Sequence, residues 1–148
     1  MAGKDKVNKK TMITILRLVF VAIILWGAIS ITTSAATSSD FVVDPYHEYA
    51  YENMLEDANK LQEKYPELIR LKSIGNSVEG RDLALIEFGN GERKIFLNGA
   101  THAREYITTT YLMYMIDRYA YAYANVGIYD GYDLSKILNS ITFCIYLW

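Results

Sequence analysis

The sequence has few cysteine, histidine and proline residues. The first two shortages limit the disulfides and metal sites that the protein can form. Cys144 is the only cysteine among 148 residues, so no disulfide can form within the chain. His47 and His102 are the only histidines, so a metal site built on imidazole ligands is limited to these two positions. Of the two prolines, Pro66 ends the helical pattern that precedes it. The length suits one folded domain at most.

The first 36 residues differ in composition from the rest of the chain. Lysines at positions 4, 6, 9 and 10 precede the mostly apolar stretch Met12–Ile31, and small residues follow at positions 33–36. A basic N-terminal region, an apolar centre and small residues at the end predict a secretory signal, with cleavage after Ala35 or Ala36.

An uncleaved membrane anchor is the alternative for this segment. The charge-free run Leu18–Ile31 has 14 residues, short of the about 20 that a spanning helix needs. Counted from Met12, the segment is long enough to span a membrane. The Arg17 side chain would then extend toward the lysine-rich N-terminal end. These two alternatives predict an exported protein, either secreted or anchored in the membrane through residues 12–31 with its domain outside. A third alternative, a buried helix, does not.

Without residues 1–36 the chain is acidic. Residues 37–148 contain ten Lys and Arg and sixteen Asp and Glu, which gives this part a net charge of −6. A negative surface repels phosphate groups, so we expect no nucleic-acid partner. The composition predicts a signal or anchor at 1–36, a Ser/Thr-rich linker at 37–45 and one domain at 46–148.

Residues 46–148 alternate between helical and strand patterns, which predicts an α/β fold with a mixed sheet. Helices are predicted at Tyr46–Tyr65, Ile107–Ala124 and, as a short turn, Leu134–Leu138. Strands are predicted at Ile69–Ile74, Leu83–Phe88, Lys94–Asn98 and Ile141–Leu147.

Two of these elements carry further predictions. Gly89-Asn90-Gly91 predicts a hairpin turn that pairs the second strand with the third. The helix Ile107–Ala124 is apolar nearly all round, which predicts packing on more than one side. Residues Asn125–Asp133 between this helix and the next are predicted to form a loop.

The strongest chemical signal is a histidine and a glutamate three residues apart. His102 and Glu105 directly follow the apolar run Ile95-Phe96-Leu97, which predicts a buried strand. Residues i and i+3 share a face of a helical turn, and ligand sites in open α/β sheets lie beyond the carboxyl ends of strands. Because zinc binds imidazole nitrogen and carboxylate oxygen, the two are candidate ligands of one Zn²⁺. The spacing alone is a weak signal.

Three blocks together resemble the zinc metallocarboxypeptidases of the carboxypeptidase A type. They are Tyr46-His47 followed by Tyr65–Leu68, then Ile74–Arg81, then Ile95–Thr108 with its Asn-Gly-Ala-Thr-His-Ala-Arg-Glu core. Their order and spacing agree with the family, and the third block is similar to the family's first zinc-binding segment.

The resemblance implies a fold and an activity. The expected fold is the N-terminal half of a mixed-sheet α/β/α catalytic domain, and the expected reaction is hydrolysis of the C-terminal bond of a peptide substrate. His102 and Glu105 would be two of the three protein ligands of a catalytic Zn²⁺. Arg104 matches a family arginine near the substrate cleft, with a surface ion pair as the alternative.

The family's remaining functional groups lie further along the chain. The second histidine ligand, the arginines that bind the substrate carboxylate and the glutamate general base would follow Trp148, so no catalytic residue can be named. His47 is expected to be a solvated surface residue, and Cys144 a small buried apolar residue. We therefore expect an incomplete zinc site.

Two interpretations of function remain open. The first is an exported zinc metallocarboxypeptidase, inactive as this truncated chain, whose parent enzyme would act on a cell-wall or secreted peptide. The second is a non-catalytic binding or interaction protein derived from the same fold, exported or membrane-tethered. The apolar final strand, Ile141–Leu147, would then lack neighbouring structure, so residues 37–148 alone are expected to be poorly soluble.

Overall fold

A computed structural model describes residues 12–15, 17–20, 36–102 and 104–147, in two compact units that divide after Ala35. In the first unit, residues 12–15 and 17–20 are helical. Ala36, one of the two predicted cleavage positions, is described, whereas the rest of the predicted signal or anchor, including Ala35, lies outside the described residues. No helix within the described ranges is both long and apolar enough to cross a membrane.

The second unit has three helices and six strands among the described residues. A short 3₁₀ turn at Ser38–Asp40 is followed by α1 (Tyr51–Lys64), β1 (Ile69–Asn76), β2 (Asp82–Phe88), β3 (Arg93–Asn98), α2 (Tyr106–Asn125), β4 (Ile128–Tyr129), β5 (Tyr132–Asp133), α3 (Leu134–Ser140) and β6 (Ile141–Tyr146).

Helix α1 begins at Tyr51 rather than at Tyr46 as predicted. The N–H of Ala50 donates to Oδ1 of Asn53 at 3.1 Å, which caps the helix at this point, and residues 45–50 before it are not helical. The helix ends at Lys64, and the predicted stop at Pro66 is confirmed within two residues.

The four long strands form one mixed sheet in the order β1-β2-β6-β3, which confirms the predicted fold class. β1 and β2 form an antiparallel hairpin, β6 is antiparallel to β2, and β3 is parallel to β6. Glu87 of β2 therefore lies opposite Cys144 of β6, and Cys144 lies opposite Phe96 of β3. The predicted pairing of the second strand with the third was wrong, because β6 lies between them.

The glycines after β2 allow close approach of the chain that enters β6, and do not form a hairpin turn. A Cβ at Gly91 would lie 1.9 Å from the Ser140 carbonyl carbon, and a Cβ at Gly89 would lie 2.4 Å from the Ile141 carbonyl oxygen. At the same place the Thr142 hydroxyl donates to the Gly91 carbonyl oxygen at 2.7 Å. These contacts hold β6 beside β2.

One face of the sheet and two helices share the hydrophobic core. Alternate residues of the central strands are buried together with one side of α1 and one side of α2; they include Ile86, Phe88, Ile145, Met54, Leu61, Met113 and Ile116. Residues of the opposite face, among them Arg70, Lys72 and Glu87, form ion pairs. The core therefore lies on one side of the sheet.

Two apolar segments are more exposed than the sequence predicted. In α2 the side chain of Ile107 is 63% exposed, so the expected packing on several sides was wrong for its first turn. In β3 the side chain of Phe96 is 65% exposed, because it lies on the same face of the sheet as Cys144 and Glu87, opposite the core. The predicted burial of Ile95-Phe96-Leu97 was therefore wrong, with only Leu97 half-buried.

Part of the predicted loop after α2 forms a small hairpin. β4 and β5 pair in antiparallel fashion, with Asp130 and Gly131 between them at φ of +48° and +81°. An Asp-Gly pair with two positive φ angles is the preferred chemistry of a two-residue hairpin turn. The carboxylate of Asp133 then caps α3 by accepting from the Lys136 N–H at 2.9 Å.

Candidate metal centre

The segment that carries the predicted ligands connects β3 to α2 at the carboxyl end of the sheet. Because β3 and β6 are parallel, their carboxyl ends lie side by side, and the N–H of Gly99 donates to the Tyr146 carbonyl oxygen at 3.0 Å. Partial burial raises the pKa of the Tyr146 phenol, which stays protonated at neutral pH. The predicted ligands thus follow a strand at the edge where ligand sites of α/β sheets form.

His102 and Glu105 lie in one turn before α2, and not within a helix. The N–H of Glu105 donates to the His102 carbonyl oxygen at 2.9 Å, and Glu105 is the N-cap residue of α2. Both residues are exposed, and neither side chain has a hydrogen-bond or ion-pair partner among the described residues. An imidazole and a carboxylate are therefore free to bind a ligand within one turn of chain.

A hydroxyl at the start of α2 connects the two ends of this segment. Ala100 has a φ of +51°, a left-handed conformation that is unusual for alanine. Its N–H donates to Oγ1 of Thr108 at 2.6 Å, while the same hydroxyl donates to the Glu105 carbonyl oxygen at 2.8 Å. Thr108 was not predicted as a functional residue, although a threonine three residues after a helix N-cap is a recognisable signal.

The start of the segment has a further side-chain contact. Nδ2 of Asn98 donates to Oγ1 of Thr101 at 2.9 Å. A Cβ at Gly99 would lie 3.0 Å from the Leu147 side chain and 3.3 Å from the Thr109 nitrogen, so a larger residue directly after β3 would have to displace these neighbours slightly.

The other residues singled out from the sequence lie at different places. Arg104 is exposed in the same turn as the predicted ligands, and forms no ion pair within the described part of the chain. His47 pairs with Asp44 at 3.0 Å, and its side chain is 78% exposed. It lines an open groove of about 620 Å³ beside Tyr106 and outside the metal segment. Cys144 is half-buried on β6, rather than fully buried as expected.

His102 and Glu105 have the donor atoms that zinc binds, but two ligands are fewer than a catalytic zinc site uses. An imidazole and a carboxylate without other partners are suitable zinc donors, whereas catalytic zinc sites use three protein ligands. Across the described ranges, no group of three or more His, Cys, Asp or Glu side chains could hold a metal ion. The turn therefore offers two donors of a zinc site.

Comparison with known proteins gives a consistent match. The model of a family described as zinc carboxypeptidase matches residues 54–147. The γ-D-glutamyl-L-diamino acid endopeptidase 1 of Lysinibacillus sphaericus is 33% identical over 101 residues, which cover 68% of this chain and 25% of that protein. Carboxypeptidase B of Astacus astacus is 32% identical over 103 residues, which cover 68% of this chain and 31% of that protein.

Solved structures agree on the fold. Bovine thrombin-activatable fibrinolysis inhibitor, in complex with tick carboxypeptidase inhibitor, matches 68% of this chain and 29% of its own, with a TM-score of 0.54 and 20% identity. Carboxypeptidase A of Helicoverpa armigera matches 88% of this chain and 30% of its own, with a TM-score of 0.51 and 18% identity. The chain spans about a quarter to a third of the length of the curated relatives above.

Proposed function

This chain belongs to the zinc carboxypeptidase family, and on that premise we propose that His102 and Glu105 are two of the protein ligands of a zinc peptidase site. The observation that carries the proposal is the turn at the carboxyl ends of β3 and β6, where both side chains lack other partners within the part of the chain that the structure describes. Their donor types support the assignment, since His₂Glu is a ligand set of zinc peptidases.

The proposed parent reaction is hydrolysis of a peptide bond at the C-terminal end of a peptide. Zinc in such a site acidifies a water molecule and polarises the scissile carbonyl group. In this chain His102 and Glu105 would hold the ion, and Arg104, exposed in the same turn, would attract a carboxylate of the substrate. The name of the relative from Lysinibacillus sphaericus makes peptides with γ-D-glutamyl links to diamino acids a second substrate class to assay.

We expect the 148-residue polypeptide alone to bind zinc weakly and to lack peptidase activity. Two donors leave the ion loosely held, and the second histidine is already paired with Asp44. A general base is also needed to activate the water, and neither the sequence nor the resemblance assigns one to this chain.

Zinc titration of the purified full chain tests the ligand assignment. His102→Ala should abolish the binding, and Glu105→Gln should weaken it, because each change removes one donor. His47→Ala is the matched control and should bind as the unchanged chain does, since it removes the other imidazole. Zinc binding that survives His102→Ala would overturn the proposal.

A second candidate function is that of a non-catalytic interaction protein, exported or tethered to the membrane. It is favoured by apolar side chains left exposed on β3 and on the first turns of α2, which include Phe96, Ile107 and Tyr111. Ile107 and Tyr111 lie one helical turn apart on α2, and adjacent exposed apolar side chains of this kind commonly mark protein contacts. A monodisperse full chain with a sharp, cooperative thermal transition and no zinc binding would favour this function over the first.

Export is proposed from the N-terminal sequence. The four lysines before the apolar stretch 12–31 support a signal or anchor at residues 1–36, with the linker 37–45 and the domain 46–148 outside the cytoplasm. Fusion of an export-dependent reporter after position 45, followed by mass determination of the mature chain, tests both export and cleavage. A reporter that stays inactive would contradict the proposal.

A further inference from the structure

One hydroxyl contacts the main chain both before His102 and at Glu105. Oγ1 of Thr108 accepts from the Ala100 N–H at 2.6 Å and donates to the Glu105 carbonyl oxygen at 2.8 Å. Thr108 lies in the first turn of α2, so its main chain is fixed by the helix. One side chain therefore connects Ala100 and Glu105 to a rigid element.

The conformation of Ala100 shows why this contact matters. A left-handed alanine is less stable than an extended or right-handed one by about 1 kcal/mol, so without a compensating contact the loop would favour other shapes. The Ala100 N–H bond to Thr108 offsets that cost. Since Ala100 precedes His102 by two residues, a change in its φ would redirect the chain that carries the imidazole.

The hydrogen bond from the Thr108 hydroxyl to the Glu105 carbonyl oxygen holds the main chain of the second predicted ligand, Glu105. Glu105 is the N-cap of α2, and its side chain makes no capping hydrogen bond. Its carbonyl oxygen accepts from both the N–H and the hydroxyl of Thr108, at 3.0 and 2.8 Å. The carboxylate is therefore left free for a cation, while the main chain that carries it is held in place.

We propose that Thr108 is a positioning residue, which holds the turn of His102 and Glu105 in the conformation that binds a divalent cation. The proposal rests on the assignment of these two residues as zinc ligands. Groups that orient metal ligands from outside the ligand set typically change metal affinity by 10–100-fold when removed. Thr108 would do so through the main chain, and not by contact with an imidazole or carboxylate.

The test compares zinc affinity among variants of the full chain. Thr108→Val has nearly the same shape but lacks the hydroxyl, and should weaken zinc binding about tenfold. Thr108→Ser keeps the hydroxyl and should restore it. Thr109→Val is the matched control, because the buried Thr109 hydroxyl has no hydrogen-bond partner among the described residues. It should bind zinc as the unchanged chain does.

Amide hydrogen exchange without metal gives a second readout. The Ala100 N–H should exchange faster in Thr108→Val and stay protected in Thr108→Ser, because only the hydroxyl can accept its hydrogen bond. Melting temperatures should differ little between the two variants. If circular dichroism shows that Thr108→Val is unfolded, Thr108→Ala replaces it.

The outcomes separate this inference from the ligand assignment. If His102→Ala abolishes zinc binding but Thr108→Val does not weaken it, the ligand assignment stands and the positioning role is wrong. A Thr108→Ser variant that binds as weakly as Thr108→Val also overturns the role of the hydroxyl. If zinc binding is absent, or is unaffected by His102→Ala, the ligand assignment fails and the positioning role fails with it.

Discussion

The buried carboxylate of Asp117 holds the main chain at Val43. Oδ2 of Asp117 accepts from the N–H groups of Val43 and Val42, at 2.9 and 2.7 Å. Asp117 is fully buried within α2, and its Oδ1 has no hydrogen-bond partner among the described residues. The Asp117 side chain thus connects the residues before α1 to the middle of α2, beside the contacts of the Phe41 ring with Arg118 and Tyr121.

The stability of the fold should depend on pH through this group. Burial raises the pKa of Asp117 above the usual 3.8, although the two backbone N–H groups and nearby Lys64 and Arg118 lower it in part. The folded state then binds this proton more tightly than the unfolded state does. The contribution of Asp117 to the free energy of unfolding is therefore greatest below pH 3.8, and is lost as the pH rises through the folded pKa.

Asp117→Asn should remove this part of the pH dependence and be at least as stable as the unchanged chain at neutral pH. An amide oxygen can still accept from the Val43 N–H, and no charge is buried. Urea unfolding of the full chain at several pH values measures the effect. A variant with the same pH profile as the unchanged chain would show that Asp117 does not titrate in this range.

Asp117→Leu separates the hydrogen bonds from the charge. It leaves the N–H groups of Val42 and Val43 without their acceptor, and should destabilise the fold by about 2 kcal/mol or more. Equal stability of the leucine and asparagine variants would mean that these two hydrogen bonds contribute nothing net.

Glu87 should produce a pH dependence of the opposite sign. Its carboxylate pairs with Lys72 at 2.9 Å and Arg70 at 3.3 Å, and these partners lower the pKa of Glu87 below 4.5. The stabilisation is thus present above pH 4.5 and is lost as the pH falls through the folded pKa. Since Lys72 is half exposed, Glu87→Gln should cost only about 1 kcal/mol at neutral pH.

Salt provides the control for the Glu87 pairs. The difference in unfolding free energy between the unchanged chain and Glu87→Gln should shrink at high sodium chloride, because salt screens ion pairs near the surface. A difference that is the same at low and high salt would indicate that Glu87 acts through packing instead.

The sequence was sufficient for the main elements because their signals are local. The apolar spacing of Met54, Ala58 and Leu61 predicts α1, and alternation predicts β1 and β2. Sheet order was not predictable in this way, since β6 is brought between β2 and β3 by contacts of residues far apart in sequence. The Gly89-Asn90-Gly91 signal was therefore assigned to a turn, whereas it marks close backbone approach.

The candidate site was likewise predictable only in part. Its place beyond a strand was predictable from the apolar run before His102, and the structure confirms that place. The left-handed Ala100 and its hydrogen bond to Thr108 have no strong sequence signature, because alanine rarely adopts that conformation. The exposure of Phe96 was not predictable either, since an apolar run of three residues does not show which face of the sheet the helices cover.

Gly91→Ala should prevent the close contact between the β2–β3 connection and the start of β6. The new Cβ would lie 1.9 Å from the Ser140 carbonyl carbon and 2.0 Å from the Ile141 nitrogen, so backbone must move. We expect a loss of about 3 kcal/mol in unfolding free energy. Gly131→Ala is the control: its Cβ meets nothing within 4 Å, and only its φ of +81° is unfavourable for alanine, at about 1 kcal/mol.

Phe96→Thr should raise the soluble, monomeric fraction of the full chain without lowering its melting temperature. Phe96 is 65% exposed on the sheet face opposite the core, and exposed apolar surface of this kind promotes association between chains. Threonine keeps the strand preference and removes the exposed ring. Phe143→Thr is the control, because Phe143 packs against Phe88 at 6.2 Å between ring centres and its loss should lower the melting temperature. Sedimentation velocity and thermal unfolding distinguish the two, and unchanged association of Phe96→Thr would exclude this face as the cause.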